Sequence, residues 1–321
     1  CSSQGVKVKF TMRPYRSEED YWRMRQFLRN VMLLNDLHQH SWHVARLDYW
    51  WWFAQPDLEK MNLEEVMFFW ETETGELAAI LNPEGKGQAY LQTHPKYRTP
   101  ELEEEMIVTA ERYLKHPNRE GRQRNVIFAD SKDTLRHKIL KRRGYQKVER
   151  PETNETIHIF PLHKEITEVK KPTGYTIRAL GHGLELLERC YASGLGFHDD
   201  DINIARENRD DPTWYHHIQN APLYRRDLDL VALASDGSVA SFCTVWFDDV
   251  TRTAYFEPVA TVPKHQRHGL GKAVLTEGLK RLKTMGAKIA TVGGYSNAAN
   301  GLYFSVFGEE YDLLQPWEKL D

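Results

Sequence analysis

Between Phe256 and Gly286 the chain reads FEPVATVPKHQRHGLGKAVLTEGLKRLKTMG. A β-like run ends at Val262, a short basic loop follows, Pro263-Lys264-His265-Gln266-Arg267-His268, and Gly269-Leu270-Gly271 opens a helix. The first turn of a helix has N–H groups with no intrahelical partner, and the helix dipole adds partial positive charge at the same end. Glycines at 269 and 271 let a phosphate approach the backbone, and Lys264, Arg267 and His268 supply positive charge around it. Residues of these types in this order make an anion site suited to a pyrophosphate. The spacing is not that of a Walker loop, and it is not the Gly-x-Gly-x-x-Gly of a dinucleotide fold.

The elements that position this loop alternate along the chain. In the first half, Val8–Pro14, Glu65–Trp70, Leu77–Leu81, Gln88–Thr93, Val126–Ala129 and Thr156–Phe160 read as strands, and Glu18–Val31, Glu101–Leu114 and Lys132–Arg142 as helices. Pro161–Gly174 is charged and carries Pro161, Pro172 and Gly174, a linker composition. The order then repeats. Tyr175–Leu180, Leu228–Ala234, Val239–Phe247, Ala254–Val262 and Ile289–Val292 are strands; helices start at Leu184 and cover Gly271–Met285 and Asn297–Val306. The Asp236-Gly237 pair predicts a tight hairpin. Thr11-Met12-Arg13 echoes Thr176-Ile177-Arg178, His94-Pro95-Lys96 echoes Val262-Pro263-Lys264, and Leu140…Gly144-Tyr145 echoes Leu302…Phe307-Gly308, all offset by roughly 165 residues. The pattern is a duplicated α/β unit: residues 1–160, a linker at 161–174, and residues 175–321.

Bulk properties narrow the classes. The chain has 321 residues, 40% hydrophobic and 28% charged, an ordinary globular mixture long enough for two domains. A formal net charge of −3 gives no global field for nucleic acid, and no apolar run reaches a membrane span. Cys1, Cys190 and Cys243 are too sparse for a disulfide framework or a zinc site, which fits a cytoplasmic protein. Cys1 also matches the first residue of a mature bacterial lipoprotein or of a trimmed chain. Tyr49-Trp50-Trp51-Trp52-Phe53 reads as a buried helix or as an aromatic pocket wall.

Gln266-Arg267-His268-Gly269-Leu270-Gly271 matches the Gln/Arg-x-x-Gly-x-Gly/Ala motif, with Glu257-Pro258-Val259 on the strand before it and Ala299…Leu302-Tyr303 after the next strand. Over about Tyr175 to Lys319 the chain thereby resembles the GNAT N-acetyltransferase superfamily. The resemblance implies an α/β (mixed α+β) fold of two tandem GNAT-like domains, each a mixed, mostly antiparallel twisted sheet flanked by helices. It implies that the sheet of the second domain splays open near its fourth strand to take the pantetheine arm of acetyl-CoA or a related acyl-CoA, with no metal. Pyrophosphate contacts would come from the amides of Arg267, His268, Gly269, Gly271 and Lys272, with Gln266, Leu270, Ala273 and Asn297 also at the donor. Val259, Thr261 and Val262 would offer backbone to the pantetheine.

Tyr303 lies where the family commonly places the acid that protonates the departing thiolate, and its phenol starts protonated. Glu257 is the candidate base for the attacking amine; a salt-bridged strand residue is the alternative. The loop His198-Asp199-Asp200-Asp201 borders the acceptor side of this fold, so Asp199 and Asp200, with Trp214, are candidate acceptor contacts; a solvated loop is the plain alternative. His216-His217 lacks a third ligand for a metal. Neither Cys190 nor Cys243 has a visible activating partner, so direct attack in a ternary complex is expected, on a small-molecule or peptide amine. Phe307-Gly308 inverts the family's usual Gly-Phe and puts the final strand in question. In the first half the corresponding loop reads His94-Pro95-Lys96-Tyr97-Arg98-Thr99-Pro100-Glu101, without glycine and with acidic residues after it, so one CoA site per chain is expected. A non-catalytic acyl-CoA-binding module and a tandem aminoacyl-tRNA-dependent transferase are the competing classes.

Overall fold

The structure is a computed structural model that describes residues 8–321, so Cys1 lies outside the described residues. Its principal strands are β1 (Phe10–Pro14), β2 (Phe68–Thr72), β3 (Leu77–Asn82), β4 (Gln88–Thr93), β5 (Gln123–Asp130), β6 (Glu155–Pro161), β7 (Tyr175–Ala179), β8 (Asp229–Ala234), β9 (Val239–Asp248), β10 (Thr253–Thr261), β11 (Ile289–Gly294) and β12 (Tyr311–Leu320). The principal helices are α1 (Glu18–Leu34), α2 (Val44–Tyr49), α3 (Pro100–Tyr113), α4 (Thr134–Arg142), α5 (Leu184–Phe197), α6 (Ile202–Asp210), α7 (Thr213–Gln219), α8 (Leu270–Thr284) and α9 (Asn297–Phe307). Beyond Tyr49, α2 continues in wider π-type turns over Trp50–Glu59. Pro56 lies inside that stretch and has no N–H for the regular ladder.

Two compact units result. One holds residues 8–44, 54–155 and 312–321; the other holds 45–53 and 156–311. The first unit's sheet runs β1-β2-β3-β4-β5-β12, parallel only at β4–β5. The second runs β7-β8-β9-β10-β11-β6, parallel only at β10–β11. The repeat read from the sequence is therefore a six-strand unit, but the last strand of each repeat is found in the other repeat's sheet. β6 pairs Pro161↔Ile289 through Thr156↔Gly294, and β12 pairs Leu314↔Asp130 through Leu320↔Arg124. The sequence division at 160 and 175 follows the repeat, whereas the compact units follow the hydrogen bonds.

The repeat also shows in ion pairs. Arg13 on β1 meets Asp20 at 2.7 Å, and Arg178 on β7 meets Glu185 at 2.6 Å, each pair spaced seven residues apart. Residues 162–174 form no regular element, yet they are fixed to the second unit. Ile166 packs on its core, Glu168 pairs with Lys280 at 2.8 Å, and Lys283 donates to the Lys164 carbonyl at 2.7 Å.

In the second unit β9 is buried along its whole length because both faces of the sheet are covered. Cys243, Val245 and Phe247 face the core formed with Leu270, Val274, Leu275, Leu279 and Leu282 of α8, a helical i, i+4 stripe. Each such aliphatic side chain stabilises the unit by about 1.5–3 kcal/mol. Gly278 lets α8 lie close to the sheet, since a Cβ there would meet Phe256 at 2.8 Å. The inverted Phe307-Gly308 is accommodated simply: Phe307 is buried in this core, and Gly308 ends α9 at φ 87°. No helix among the described residues is long and apolar enough to cross a membrane.

Candidate functional site

The loop 263–269 is shaped by backbone geometry. Residues Pro263–His265 form one 3₁₀ turn, Gln266 is extended, and Arg267 (φ 67°) and Gly269 (φ 79°) are left-handed. Gly269 is the N-cap of α8, and no side chain caps that end. The first helical bond runs from the Ala273 N–H to the Gly269 carbonyl at 3.1 Å, so the amides of residues 267 to 272 have no backbone acceptor. Alternating left-handed residues followed by an uncapped helix turn make a concave set of donors, which favours an anion. Lys264, Gln266, Arg267, His268 and Lys272 are exposed around it. Leu270 and Ala273 are buried, and the Ala273 amide is already engaged, so the open run stops at Lys272. Gly271 has a second role: a Cβ there would lie 2.9 Å from Leu302, so it also permits α8 and α9 to pack closely.

Two residues not singled out from the sequence support the loop. The Tyr175 hydroxyl is 2.9 Å from His265 Nδ1, and the His265 Nε2 is buried without a partner. Burial and the neighbouring Lys264 hold His265 below its ordinary pKa. His268 Nδ1 lies 3.1 Å from the His265 carbonyl.

The strand before the loop supplies an open edge. β10 pairs with β11 only from Thr253↔Ile289 to Phe256↔Val292. Against β9 the register jumps from Val245↔Phe256 to Cys243↔Val259, so one residue of β9 faces two of β10. Such a bulge bends its strand, and Pro258 at the bulge has no N–H to offer β11. The Trp246 indole N–H donates to the Glu257 carbonyl at 2.7 Å. Past the bulge, the Val262 N–H bonds to Ala240 at 2.9 Å, and its carbonyl accepts from His265. Antiparallel alternation then turns Val259 and Thr261 toward the free edge. The sequence reading grouped Val262 with these two; its backbone is instead committed to the ladder and the loop turn. The Thr261 carbonyl is covered only by the Gln266 side chain, at 3.2 Å.

Tyr303 enters from α9 and is 6% exposed. Burial pushes its phenol above the ordinary value, and Cys243 and Glu257 push in the same direction. His158, carried by β6, contacts the Tyr303 ring edge-on at 5.4 Å and bonds to Asn300 Oδ1 through Nε2 at 2.8 Å. Gly294 is required here, since a Cβ would run into the Asn300 amide. Asn297 is exposed at the start of α9, where Ser296 caps the helix through the Ala299 N–H. Both cysteines are buried: desolvation pushes Cys190 up to about 12 and Cys243 well above its ordinary value.

The acceptor-side candidates divide. Asp201 caps α6 by accepting from Asn203 and Ile204, while Asp199 (φ 48°) and Asp200 (φ 61°) are exposed and left-handed. Trp214 donates to the Asn208 carbonyl at 3.3 Å and packs on Phe53 and Tyr215. Within Tyr49–Phe53, Trp50 is buried, and Tyr49 lies against Trp246. No cluster of potential metal ligands exists among the described residues.

The first unit keeps the gap and fills its contacts from within. β4 and β5 pair only at Gln88↔Val126 and Ala89↔Ile127, leaving a cleft of about 290 Å³ lined by Gln92, Thr93, Arg98, Asp130 and Arg136 among others. Thr93 stands where Thr261 stands in the second unit, but its N–H is taken by the Ser41 hydroxyl at 3.1 Å. The helix after it is capped by Thr99 through the Leu102 N–H and starts on Pro100. Glu103, 0% exposed, meets Arg98 at 2.6 Å and Arg136 at 2.9 Å. Burial alone would raise its carboxyl, but the two guanidinium groups overcome that and hold it below the usual range.

Residues 187–308 match the profile described as the Acetyltransferase (GNAT) family. No curated protein sequence matches the chain at a significant level. Across its length the chain is similar in fold to a GCN5-related N-acetyltransferase from Sphaerobacter thermophilus, with a TM-score of 0.61, 15% identity, and coverage of 97% of this chain and 95% of that one. It is likewise similar to a tandem GNAT protein from the clavulanic acid biosynthesis pathway (0.62, 12%, 97% and 98%) and to a GNAT-family acetyltransferase from Colwellia psychrerythraea (0.57, 10%, 96% and 100%). At these identities the likeness concerns the fold.

Proposed function

We propose that this chain, whose residues 187–308 match the GNAT acetyltransferase family and whose fold is similar to that of a tandem GNAT protein, transfers an acetyl group from acetyl-CoA to a primary amine of a small molecule or peptide. The observation that carries this reading is the run of unengaged amides from Arg267 to Lys272 at an uncapped helix start. Six backbone donors in a row with Lys264 and Arg267 beside them fit a pyrophosphate. The open edge at Val259 and Thr261 fits the two amides of a pantetheine arm, and no metal is needed.

Acetyl-CoA supplies the acyl group already activated as a thioester. The amine must be neutral to attack, so Glu257, on the bulge, accepts the proton directly or through solvent. As the new N–C bond forms and the C–S bond breaks, negative charge moves to sulfur, and the Tyr303 phenol donates its proton there. With Cys190 and Cys243 buried and protonated, neither competes as a nucleophile.

The test is titration calorimetry with acetyl-CoA on the intact chain and on a Lys264→Glu, Arg267→Glu double variant. Micromolar binding near one equivalent, weakened at least tenfold in the variant, is expected. Absence of binding by the intact chain would remove the reading. Gly271 is a poor probe, because any side chain there also pushes on Leu302.

A further inference from the structure

Arg189 sits on α5 facing the sheet of the second unit and is 0% exposed. Its Nε, Nη1 and Nη2 are all buried, and none has a hydrogen-bond partner. Buried charges are ordinarily paired, because water no longer solvates them. Here the guanidinium carbon lies 3.5 Å from the Phe242 ring centroid and 4.8 Å from that of Tyr215. Asp229 is buried in the same region, yet it accepts from the Tyr215 hydroxyl at 2.7 Å, the Tyr224 hydroxyl at 2.6 Å and the Thr244 hydroxyl at 3.3 Å. Its lone pairs go to hydroxyls, not to the arginine.

A guanidinium offers its flat faces to aromatic rings and its N–H groups in its own plane, where they match a carboxylate two-to-two. Two rings hold the cation, and every in-plane donor is left over. The position is pertinent. Phe242 pairs with Ala260, between Val259 and Thr261 on β10. α5 comes close enough there that a Cβ on Gly196 would meet the Ala260 methyl at 3.1 Å. Arg189 thus stacks on β9, the ladder neighbour of the strand whose edge is assigned to the donor.

We propose that Arg189 is the anchor for a carboxylate on the acceptor, so that the substrate class is a carboxylated amine, such as an amino acid, with α7 and its Tyr215 giving way to admit it. This rests on the acyl-transfer reading for the word acceptor, but not for the binding itself.

The experiment uses matched amines with and without the carboxylate: lysine against cadaverine, and phenylalanine against phenethylamine. Thiol release from acetyl-CoA and calorimetric binding of the same four compounds are measured for the intact chain, Arg189→Met and Arg189→Lys. The intact chain is expected to favour the carboxylated members at least tenfold, in kcat/KM or in Kd. Arg189→Met should bring the ratio near one with acetyl-CoA affinity unchanged. Arg189→Lys, which keeps the charge without the planar fork, should lower the ratio and decides the matter if the methionine variant does not fold. A ratio at or below one in the intact chain, or one that survives in the variants, overturns the proposal. If acetyl-CoA binds but no amine is acetylated, arginine-dependent binding of the carboxylated members keeps the anchor while the transfer reading falls; equal binding of each pair overturns the anchor.

Discussion

Removing the Tyr303 hydroxyl separates chemistry from donor capture. Tyr303→Phe should lower kcat by about a hundredfold or more while leaving acetyl-CoA affinity within twofold, because the acid acts only as charge reaches sulfur. An unchanged kcat would reduce Tyr303 to a core aromatic. The raised phenol pKa also carries a sign: Tyr303 stays protonated through and beyond its ordinary pKa of about 10, so the wild-type rate should show no alkaline decline from this group below that pH. The cysteines give a second check. With Cys190 pushed up to about 12, only on the order of one thiol in ten thousand is ionised at pH 8, so Ellman's reagent should react with neither Cys190 nor Cys243 before unfolding. Fast labelling of either would show that the site is more open than its burial indicates.

At the scale of elements, the exchanged strands make the strongest prediction. A fragment of residues 175–321 follows the sequence repeat but lacks β6 and carries β12 without its partner β5. Residues 156–311 include the strand that actually closes the second sheet. The latter should melt cooperatively by circular dichroism, and the former should not; equal melting would show that β6 contributes little. What was legible in the sequence was local. Gln88–Thr93 and Leu184 onward fall where the structure has β4 and α5, and the Asp236-Gly237 turn joins β8 to β9, because periodicity and turn chemistry act over a few residues. The turn at Pro263–His265 and the helix start after Gly269 were legible for the same reason, being contiguous. β12 was hidden by Pro316 and its charged residues, and α6 and α7 by their polarity. His158, Tyr175 and Arg189 were out of reach. Their significance comes from partners such as Asn300, His265 and Phe242, which a single sequence does not pair.

For the whole molecule the expectation is one acetyl-CoA per chain, since the first unit meets its own edge with Ser41 and its own helix start with Thr99. A second equivalent of similar affinity would contradict this. Glu103 should make that unit acid-sensitive. A carboxyl held below its ordinary pKa contributes stability above about pH 4, and that contribution is lost as pH falls through the folded-state value. Glu103→Gln should destabilise the unit by about 3 kcal/mol at neutral pH, by leaving Arg98 and Arg136 with Asp133 as their one remaining carboxylate, and should flatten the acid limb of its melting curve. The traded last strands also bear on how such a gene can change. A silent copy of a duplicated domain is ordinarily free to erode and be deleted. Here the first copy encodes β6, the strand that brings His158 to Tyr303, and the second encodes β12, which brings Trp317 into the first one's core. Substitutions can accumulate in the first half, but a deletion of it would take a piece of the other with it, so the two copies are inherited as one.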